Sequence, residues 1–580
     1  MSLRFYVLVA LFCICNPLET PAQDESVYTL IDDAWEYQMQ QSPLFATRTG
    51  DHRFNDQLPP VSIEQSKKSV KQTREFLKRA EAIVADGLSD RAKLDKLLFE
   101  RSLKQNIEEF EFKTYLIPIT NRYGFHIGFP ETRRTSPFET TKDYENYIQR
   151  LGKFRAYSQQ HIELMRVGIE KGFTLPSVVL QGYAEPIETH IVQDPEKSLF
   201  FDPFREFSDG VPPSEHKRLQ DDARKAIQES VVPGYQAFLD FMRDEYVPDA
   251  RGSLGASALP NGRDYYRFCV RKFTTLPLTP EQVHNTGLQE VKRIRSEMDE
   301  ILAKVKFEGD FPAFLEHLRT DEKHYAKTPE ELMQKTALEL KRMDGLLPSL
   351  FKTLPRTPYG IREVPAYIAP QTTTAYYMQP AGDGTKAGFY YVNTYDLKSR
   401  PLYGVQALSL HEAVPGHHLQ LALQQEMDMP NFRKFGGFTA FIEGWALYAE
   451  RLGLEVGFYE DPYDDFGRLT YEIWRACRLV VDTGIHYFGW TREQAIEFME
   501  QNSGLSKHNI RAEVDRYISW PGQALAYKTG ELKIRELRRV AEKKLGDAFD
   551  IRDFHEVVLG QGAVPLDVLE QQVQAYLEVQ

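Results

Sequence analysis

Cationic charge, long hydrophobic runs and cysteine are all scarce in this chain of 580 residues. The 71 Lys and Arg residues are outnumbered by 84 Asp and Glu, which gives a formal net charge of -13. An acidic chain lacks the basic face that nucleic acids require, so we expect no nucleic-acid partner. Beyond residue 22 no stretch is apolar for 18 residues, so we expect no membrane anchor in the mature protein.

The first 22 residues have the features of a secretory signal peptide. Arg4 precedes an apolar run at 5–15, which is too short to cross a bilayer. Thr20 and Ala22 supply small residues at the usual positions before a cleavage site. We therefore predict export to the periplasm or the medium, with cleavage after Ala22.

The four cysteines indicate neither a lipid anchor nor a disulfide framework. Cys13 and Cys15 do not follow small residues, which argues against lipidation. Cys269 and Cys477 remain after cleavage, and two cysteines are too few for a framework. We expect both to be core thiols, and the alternative is one disulfide bond between them.

Helical patterning dominates the mature chain. The predicted helices cover 62–85, 91–112, 141–171, 214–244, 278–305, 328–343 and 469–490. Convincing strand signals are confined to 362–396, where we predict strands at 364–368, 374–379 and 388–394. The expected fold is therefore mostly α-helical, with a small β-sheet.

The last predicted strand suggests a way to hold an extended substrate. An exposed strand edge can pair with a peptide, and 388–393 is the candidate edge. Tyr391 and Asn393 on this strand are candidate substrate-binding residues. A purely structural hairpin is an equally good interpretation.

The strongest chemical signal follows this sheet. His411-Glu412 opens a motif that continues with His417-His418, and Glu443 comes 26 residues after His417 on a predicted helix. Zinc is held by imidazoles and a carboxylate, with one position left open for water, whose pKa the metal lowers to about 7. We predict that His411, His417 and Glu443 bind one zinc ion and that Glu412 is the general base. The alternative is a group of unrelated polar residues on a surface loop.

The spacing leaves two candidates for the second histidine ligand. On a regular helix His418 lies about 20° around the axis from His411 but about 10.5 Å along it, too far to share a zinc ion. Pro415 and Gly416 favour a helix bulge that absorbs two residues. Such a bulge brings His417 to the position facing His411 and turns His418 away, but His418 stays open as the ligand.

Further polar residues follow in the last quarter of the chain. Four of them share one predicted helix face: Arg475, Arg478, Asp482 and His486. They form either a solvated face or a stripe that faces a substrate. Arg516 is a weaker candidate for binding a substrate carboxylate, and Tyr527 is a candidate hydrogen-bond donor to an oxyanion.

Three motifs together resemble the bacterial family of unknown function numbered 885. They are H-E-A-V-P-G-H-H-L-Q at 411–420, F-I-E-G-W-A-L-Y-A-E at 441–450 and W-P-G-Q-A-L-A-Y-K-T-G at 520–530. That family is thought to be related to oligopeptidases of the thimet and neurolysin type and to thermostable carboxypeptidases. The resemblance implies a neurolysin-like zincin fold, in which two helical lobes, at about 23–350 and 351–580, flank a deep cleft.

The resemblance also matches individual residues. Gly416-His417 corresponds to the end of the H-E-x-G-H zinc helix of those peptidases, Glu443 to their distant ligand, and Tyr527 to their oxyanion tyrosine. We therefore predict an exported zinc metallopeptidase, an oligopeptidase or carboxypeptidase, that acts on peptide substrates. Two alternatives remain: a zinc hydrolase of a non-peptide amide or ester, and a catalytically inactive peptide-binding relative. The intact Glu412 argues against the second.

Overall fold

The computed structural model describes residues 22–366, 368–380 and 387–579. Within these residues the chain forms 26 α-helices and one three-stranded sheet, so the protein is mostly helical, as predicted. Of the predicted signal segment only Ala22 lies in the described part, as the first residue of the first helix. The rest of that segment is outside the described residues.

The helices of the first half are α1 Ala22–Gln41, α2 Pro43–Thr49, α3 Ile63–Ala82, α4 Asp90–Glu111, α5 Phe125–Gly128, α6 Thr132–Thr135, α7 Thr141–Gly152, α8 Phe154–Glu170, α9 Glu185–Glu188, α10 Pro213–Ala226, α11 Val232–Phe241, α12 Gly262–Thr274 and α13 Pro280–Lys304. Those of the second half are α14 Phe311–Thr320, α15 Pro329–Asp344, α16 Leu347–Leu350, α17 Val405–Glu412, α18 His417–Glu426, α19 Asn431–Lys434, α20 Thr439–Glu455, α21 Pro462–His486, α22 Arg492–Asn502, α23 Lys507–Ser519, α24 Ala526–Leu545, α25 Ile551–Leu559 and α26 Leu566–Val579.

Local sequence sets several of these boundaries. Helix α13 begins where predicted, because Thr279 accepts a hydrogen bond from the Gln282 amide and the Gln282 side chain accepts one from the Thr279 amide. The helix predicted over 141–171 is instead two helices, α7 and α8. The break follows Gly152, the residue type that most weakens a helix interior apart from proline.

The sheet differs from the prediction in two ways. Its strands are β1 Tyr359–Glu363, β2 Ala375–Met378 and β3 Gly388–Val392, in the order β1-β3-β2. The strand predicted at 364–368 is wrong, because Pro365 has no amide hydrogen to donate and the chain turns there, with the Ile368 amide bonded to the Pro365 carbonyl. The predicted edge is also wrong: β3 is the central strand, parallel to β1 and antiparallel to β2.

Two large hydrophobic cores interleave along the chain. One includes Phe129, Phe154 and Tyr235 but also Ile473 and Tyr517 from the second half. The other combines residues of α17, α20, α24 and α26 with residues as early as 98 and 266–283. Helix α21 contributes to both cores, so no single division of the chain near residue 350 separates them.

Two close helix pairs frame the candidate site. Helices α13 and α21 pack against each other along much of their length. Helices α20 and α24 cross at Gly444 and Gly530, where a Cβ atom added to Gly444 would lie only 2.4 Å from the Gly530 Cα. Both crossing residues must therefore lack side chains. Among the described residues, none of the helices has the length and apolar character needed to cross a bilayer.

Candidate metal centre

The histidine motif lies on two consecutive helices, where the sequence predicted one bulged helix. Helix α17 ends at Glu412, a turn with a cis Val414-Pro415 peptide follows, and α18 starts at His417. The Trp445 indole donates to the Pro415 carbonyl over 2.9 Å. A Cβ on Gly416 would lie 2.0 Å from the His411 carbonyl oxygen, so the turn folds directly onto the end of α17 and requires glycine.

This turn brings the three predicted ligand residues together. The Nε2 atoms of His411 and His417 lie 3.8 and 3.4 Å from Oε2 of Glu443 on α20. One ligand atom from each of the three residues lies within 4.8 Å of the other two. Ligand atoms around a tetrahedral zinc are about 3.3 Å apart when the bonds are about 2 Å long. Small rotations of these side chains would therefore give a zinc-binding geometry.

A buried glutamate orients the first histidine. Glu450 Oε1 lies 2.8 Å from Nδ1 of His411, and Arg475 lies 3.7 Å from the same oxygen. A carboxylate on Nδ1 fixes the tautomer in which Nε2 is free to bind a metal. Sequence reasoning assigned no role to Glu450. Its position seven residues, or about two helical turns, after Glu443 places both carboxylates on one face of α20 and could have indicated it.

His418 points away from this cluster, as expected for the residue after the ligand. Its Nδ1 pairs with the Tyr377 hydroxyl at 2.8 Å, and its Nε2 lies 3.1 Å from the Thr357 carbonyl oxygen. Both ring nitrogens are therefore engaged with the sheet region. Burial lowers the pKa of His418 to about 4, so the ring is neutral at physiological pH.

Electrostatics couple the cluster tightly. Burial lowers the pKa of His411, but the carboxylates of Glu443 and Glu450 outweigh this effect and raise it to about 9. Burial likewise raises the pKa of Glu443, yet its contacts with His411 and His417 hold it well below the ordinary value. The arrangement thus stabilises positive charge between a carboxylate and two imidazoles, a position suited to a cation.

Glu412 is the last residue of α17 and directly follows His411. Its side chain is buried, with 8% of the residue exposed, and among the described residues its carboxylate accepts no hydrogen bond. Tyr390 and Tyr471 are close enough for its charge to raise their pKa values. An acid group in this environment is free to accept a proton from a water beside the cluster.

Arg516 and Tyr527 also meet in the structure. An Arg516 nitrogen lies 3.3 Å from the Tyr527 hydroxyl and 2.7 Å from Oε1 of Gln523, while Glu513 accepts from the same guanidinium at 3.4 Å. Tyr527 precedes Gly530 by one helical turn, and Gly530 packs against Gly444 beside Glu443. Tyr527 therefore lies near the part of α24 that packs against α20, the helix of Glu443, and Arg516 reaches it from α23.

The polar residues of α21 lie between the His411 cluster and the pair formed by Arg516 and Tyr527. Arg475 and Arg478 both stack on Trp474, at 4.4 Å each, and Arg478 also lies 4.3 Å from the Tyr527 ring centroid. The expectation of a solvated face is wrong, because Arg475, Arg478, Asp482 and His486 are all buried. The spacing of polar residues along a helix is the same whether their face meets solvent or another helix.

The strand residues proposed for substrate binding are engaged elsewhere. The Asn393 side-chain amide donates to the carbonyls of Ala369, Thr372 and Thr373, so it organises the loop before β2. Tyr391 is buried and stacks on Tyr376 at 4.8 Å. Because β3 is the central strand, both residues lose the edge-pairing argument on which the expectation rested.

The donor set fits a zinc ion. Oε2 of Glu443 and Nδ1 of His417 are buried and have no hydrogen-bond partner in the described part of the chain. Buried polar atoms without partners are rare and costly. Two imidazoles and a carboxylate, one imidazole oriented by a second carboxylate, are the ligands and support typical of zinc. Cys269 and Cys477, in contrast, are free buried thiols.

Comparison with known proteins places the chain in a family. Residues 43–573 match the profile of "Bacterial protein of unknown function (DUF885)", and the chain belongs to this family. The fold is similar to "the putative lipoprotein from Colwellia psychrerythraea", with a TM-score of 0.92, 30% identity, and coverage of 97% of this chain and 100% of that one. No functionally curated protein matches.

A second solved structure has the same fold. It is described as "a putative lipoprotein of unknown function from Shewanella oneidensis" and matches with a TM-score of 0.68 and 20% identity, over 95% of this chain and 100% of that chain. At this identity the likeness concerns the fold alone. Neither of these two proteins is described with an activity.

Proposed function

We propose that the protein is a zinc-dependent metallopeptidase. The observation that carries this proposal is the convergence of His411, His417 and Glu443 within 4.8 Å, with Glu412 next to His411 in the chain. These residues come from three helices, two of them joined by a turn that needs glycine at 416. A binding protein would need neither a general base nor an oriented ligand set.

Each residue then has a distinct task. A zinc ion bound here would supply Lewis acidity, which activates water and polarises a carbonyl group. Glu450 holds His411 in the tautomer that presents Nε2. Glu412 accepts the proton of the attacking water and delivers it to the leaving amine. This proton shuttle suits amide hydrolysis, because the amine leaves only when protonated.

Arg516 and Tyr527 support the developing charge or the substrate. The Tyr527 hydroxyl can donate to an oxyanion, and hydrogen bonds from Arg516 and Gln523 limit its orientation. Arg516 shares Glu513 with Arg478 and Arg122, so this group carries three cations against one carboxylate. A net positive rim favours peptides that present a carboxylate near the scissile bond.

The relation to neurolysin-type oligopeptidases, with two lobes around a cleft, is part of this proposal. It is supported by the helical fold and by the small sheet next to α17. Helix α21 contributes to both cores and carries the arginines next to the ligand cluster. It is therefore the element around which two lobes would be arranged.

Export is also proposed. It is supported by the charged, apolar and small-residue segments of residues 1–22 and by the description of both solved relatives as lipoproteins. We expect the mature chain to begin at Gln23. Mass spectrometry of the exported protein tests this, and a lipid-modified Cys13 or Cys15 would show anchoring instead.

One experiment separates the candidate activities. The purified chain, loaded with zinc, is incubated with a mixed peptide library and with amide and ester substrates, each with and without a chelator. We expect chelator-sensitive cleavage of peptides, and the cleavage positions distinguish a carboxypeptidase from an endopeptidase. Cleavage of only non-peptide substrates would identify a different hydrolase. Stoichiometric zinc without turnover of any substrate would refute the proposed enzymatic activity.

A further inference from the structure

A second group of metal-binding side chains lies away from the site described above. His317 stands in the last turn of α14, Asp321 directly follows that helix, and His324 ends the short 3-10 turn at Glu322–His324. We propose that these three residues form a second divalent-metal site, of the class that binds zinc, nickel or copper. It shares no residue with the His411, His417 and Glu443 cluster.

The local backbone puts the three side chains on one side of the chain. The Asp321 amide donates to the His317 carbonyl over 2.9 Å, and the His324 amide donates to the Asp321 carbonyl over 3.1 Å. Helix α14 ends at Thr320, and Asp321 has an extended backbone that leads into the 3-10 turn at Glu322–His324. The change of direction at Asp321, fixed by these two hydrogen bonds, brings the side chains at 317, 321 and 324 together.

The ligand atoms are close together. One ring nitrogen from each histidine and one oxygen of Asp321 lie within 4.8 Å of one another. The His317 Nε2 and the Asp321 Oδ2 are 3.7 Å apart. The spacing is close to that of the His411 cluster, so side-chain rotations of similar size would bring the atoms onto one ion.

An unpartnered buried nitrogen supplies the independent observation. His324 is 6% exposed, and its Nε2 has no hydrogen-bond partner in the part of the chain that the structure describes. The rings of Tyr403 and Tyr463 pack against it, at centroid distances of 5.4 and 4.9 Å. A buried imidazole nitrogen in an aromatic pocket gains its missing partner when the ring turns onto a metal.

One competing cation is present. The Lys323 ammonium lies 2.9 Å from Oδ2 of Asp321, but its side chain is 55% exposed. An exposed ion pair of this kind contributes little to stability, so the lysine can swing into solvent when a divalent ion takes its place. The side chains of His317 and Asp321 are 33% and 26% exposed, which gives an ion access and leaves room for water ligands.

The site would act on the start of the first ligand helix. His324 packs on Tyr403, which lies just before α17, and Tyr325 pairs with Pro401 in an isolated β-bridge. An ion at 317, 321 and 324 would fix the end of α14 against this segment. Binding should therefore stabilise the folded protein, and the stabilisation should grow with ion concentration.

Equilibrium dialysis of the metal-stripped full chain against zinc tests the proposal. We expect two bound ions per chain, reduced to one in His317→Asn and in Asp321→Asn. Asp321→Asn keeps a residue that can cap the 3-10 turn, so a folded variant is available even if His317→Asn does not fold. The exposed His508, which belongs to neither group, provides the control, and His508→Asn should still bind two ions.

The outcomes separate this site from the proposed function. His417→Ala should also bind one ion, which is then the ion at the second site. The double variant His417→Ala with His317→Asn should bind none. Unchanged stoichiometry in both His317→Asn and Asp321→Asn overturns the second site. A wild-type chain that binds one ion, lost in His317→Asn but kept in His417→Ala, would support the second site and refute the metallopeptidase.

Discussion

Two buried polar clusters near α24 show how differently a protein can treat charge. Lys528 is fully buried, and its ammonium lies 2.8 Å from Glu472, 2.8 Å from Glu531 and 3.0 Å from Glu290. Arg468 and Arg293 also pair with Glu472. The carboxylates of this cluster thus have permanent cations as partners.

The His411 cluster has no such internal balance. Within the described chain, Glu443 forms ion pairs only with the imidazoles of His411 and His417, which are cationic only when protonated, and Glu450 contacts His411 and, at 3.7 Å, the guanidinium of Arg475. In the described residues, Oε2 of Glu443, Glu450 and Glu531 are all buried without a hydrogen-bond partner, but only Glu531 Oε2 has a permanent cation, the Lys528 ammonium, at 2.8 Å. Since unpaired buried charge is costly, the difference indicates a structural network around Lys528 and a ligand site around Glu443.

The largest expected effect is on zinc content, and it should distinguish the neighbouring residues His417 and His418. His417→Ala should bind one zinc ion fewer per chain than the wild type, because His417 Nε2 faces Glu443, whereas His418→Ala should bind the wild-type number. Elemental analysis after dialysis measures both, with circular dichroism to confirm folding. Zinc retained by His417→Ala and lost by His418→Ala would reverse the assignment.

Loss of the proposed base should separate catalysis from metal binding. Glu412→Gln should lower peptide turnover roughly 10²–10⁴-fold, because the proton acceptor is removed while the three ligands remain. Zinc content and thermal unfolding should be those of the wild type. Near-normal turnover in this variant would assign the base to another residue.

Removing Lys528 should lower the stability of the fold without changing its zinc content. Lys528→Met leaves the buried Glu472 and Glu531 and the partly buried Glu290 without their shared cation and should cost about 3–5 kcal/mol of unfolding free energy. Lys217→Met, at an exposed ion pair with Asp221, is the matched control and should change it by less than about 1 kcal/mol. Denaturant titration measures both, and equal effects would remove the distinction between the two clusters.

Changing Glu450, which orients His411, should lower zinc affinity less than removing a ligand histidine does. Glu450→Gln keeps the shape of the side chain but removes the charge that fixes the tautomer, so zinc affinity should fall roughly 10–100-fold. Competition with a chelator of known affinity provides the measurement. An unchanged affinity would mean that Glu450 serves only the packing of α20 and α21.

Asp482 is a third case, a buried carboxylate without a cation. Burial raises its pKa to about 7, against the hydrogen bonds from the Tyr266 hydroxyl and the Gly522 amide. With the folded pKa above the unfolded value of 3.8, its contribution to stability is present below pH 3.8 and is lost as the pH rises to about 7.

The corresponding amide should remove this pH dependence. Asp482→Asn keeps an oxygen for both hydrogen bonds, so its stability relative to the wild type should rise between pH 4 and pH 7 by about 4 kcal/mol, the equivalent of about 3 pKa units. Urea unfolding at both pH values measures the gain. A stability difference that does not change with pH would indicate that Asp482 is ionised throughout.

The sequence predicted helices better than strands. Helical segments such as α13 carry their own start signals, and these depend only on neighbouring residues. The strand register at 359–363 depends on pairing with β3, which lies far along the chain at 388–392, and the central position of β3 depends on two partners. No local pattern encodes which strand becomes the edge, and this is why the substrate interpretation of Tyr391 and Asn393 loses its support.

The candidate site was predictable in part. His411, His417 and Glu443 were recognisable because ligand chemistry restricts residue types and because Pro415 and Gly416 indicate an interrupted helix. Glu450 was overlooked, although it follows Glu443 at helical spacing. The burial of the α21 polar face was not predictable, since whether an arginine meets solvent or another helix depends on the packing of distant segments.

By itself the sequence determined the helical class, the candidate ligand residues and the place where the helix that carries the histidines breaks, because these depend on composition, propensity and the geometry of proline and glycine. The tertiary structure decided which polar groups share a buried space. Gly444 and Gly530 let α20 and α24 meet, and that contact brings Glu443 and Tyr527 into one region. Such proximity arises from packing between residues far apart in the chain, so it cannot be predicted from local sequence.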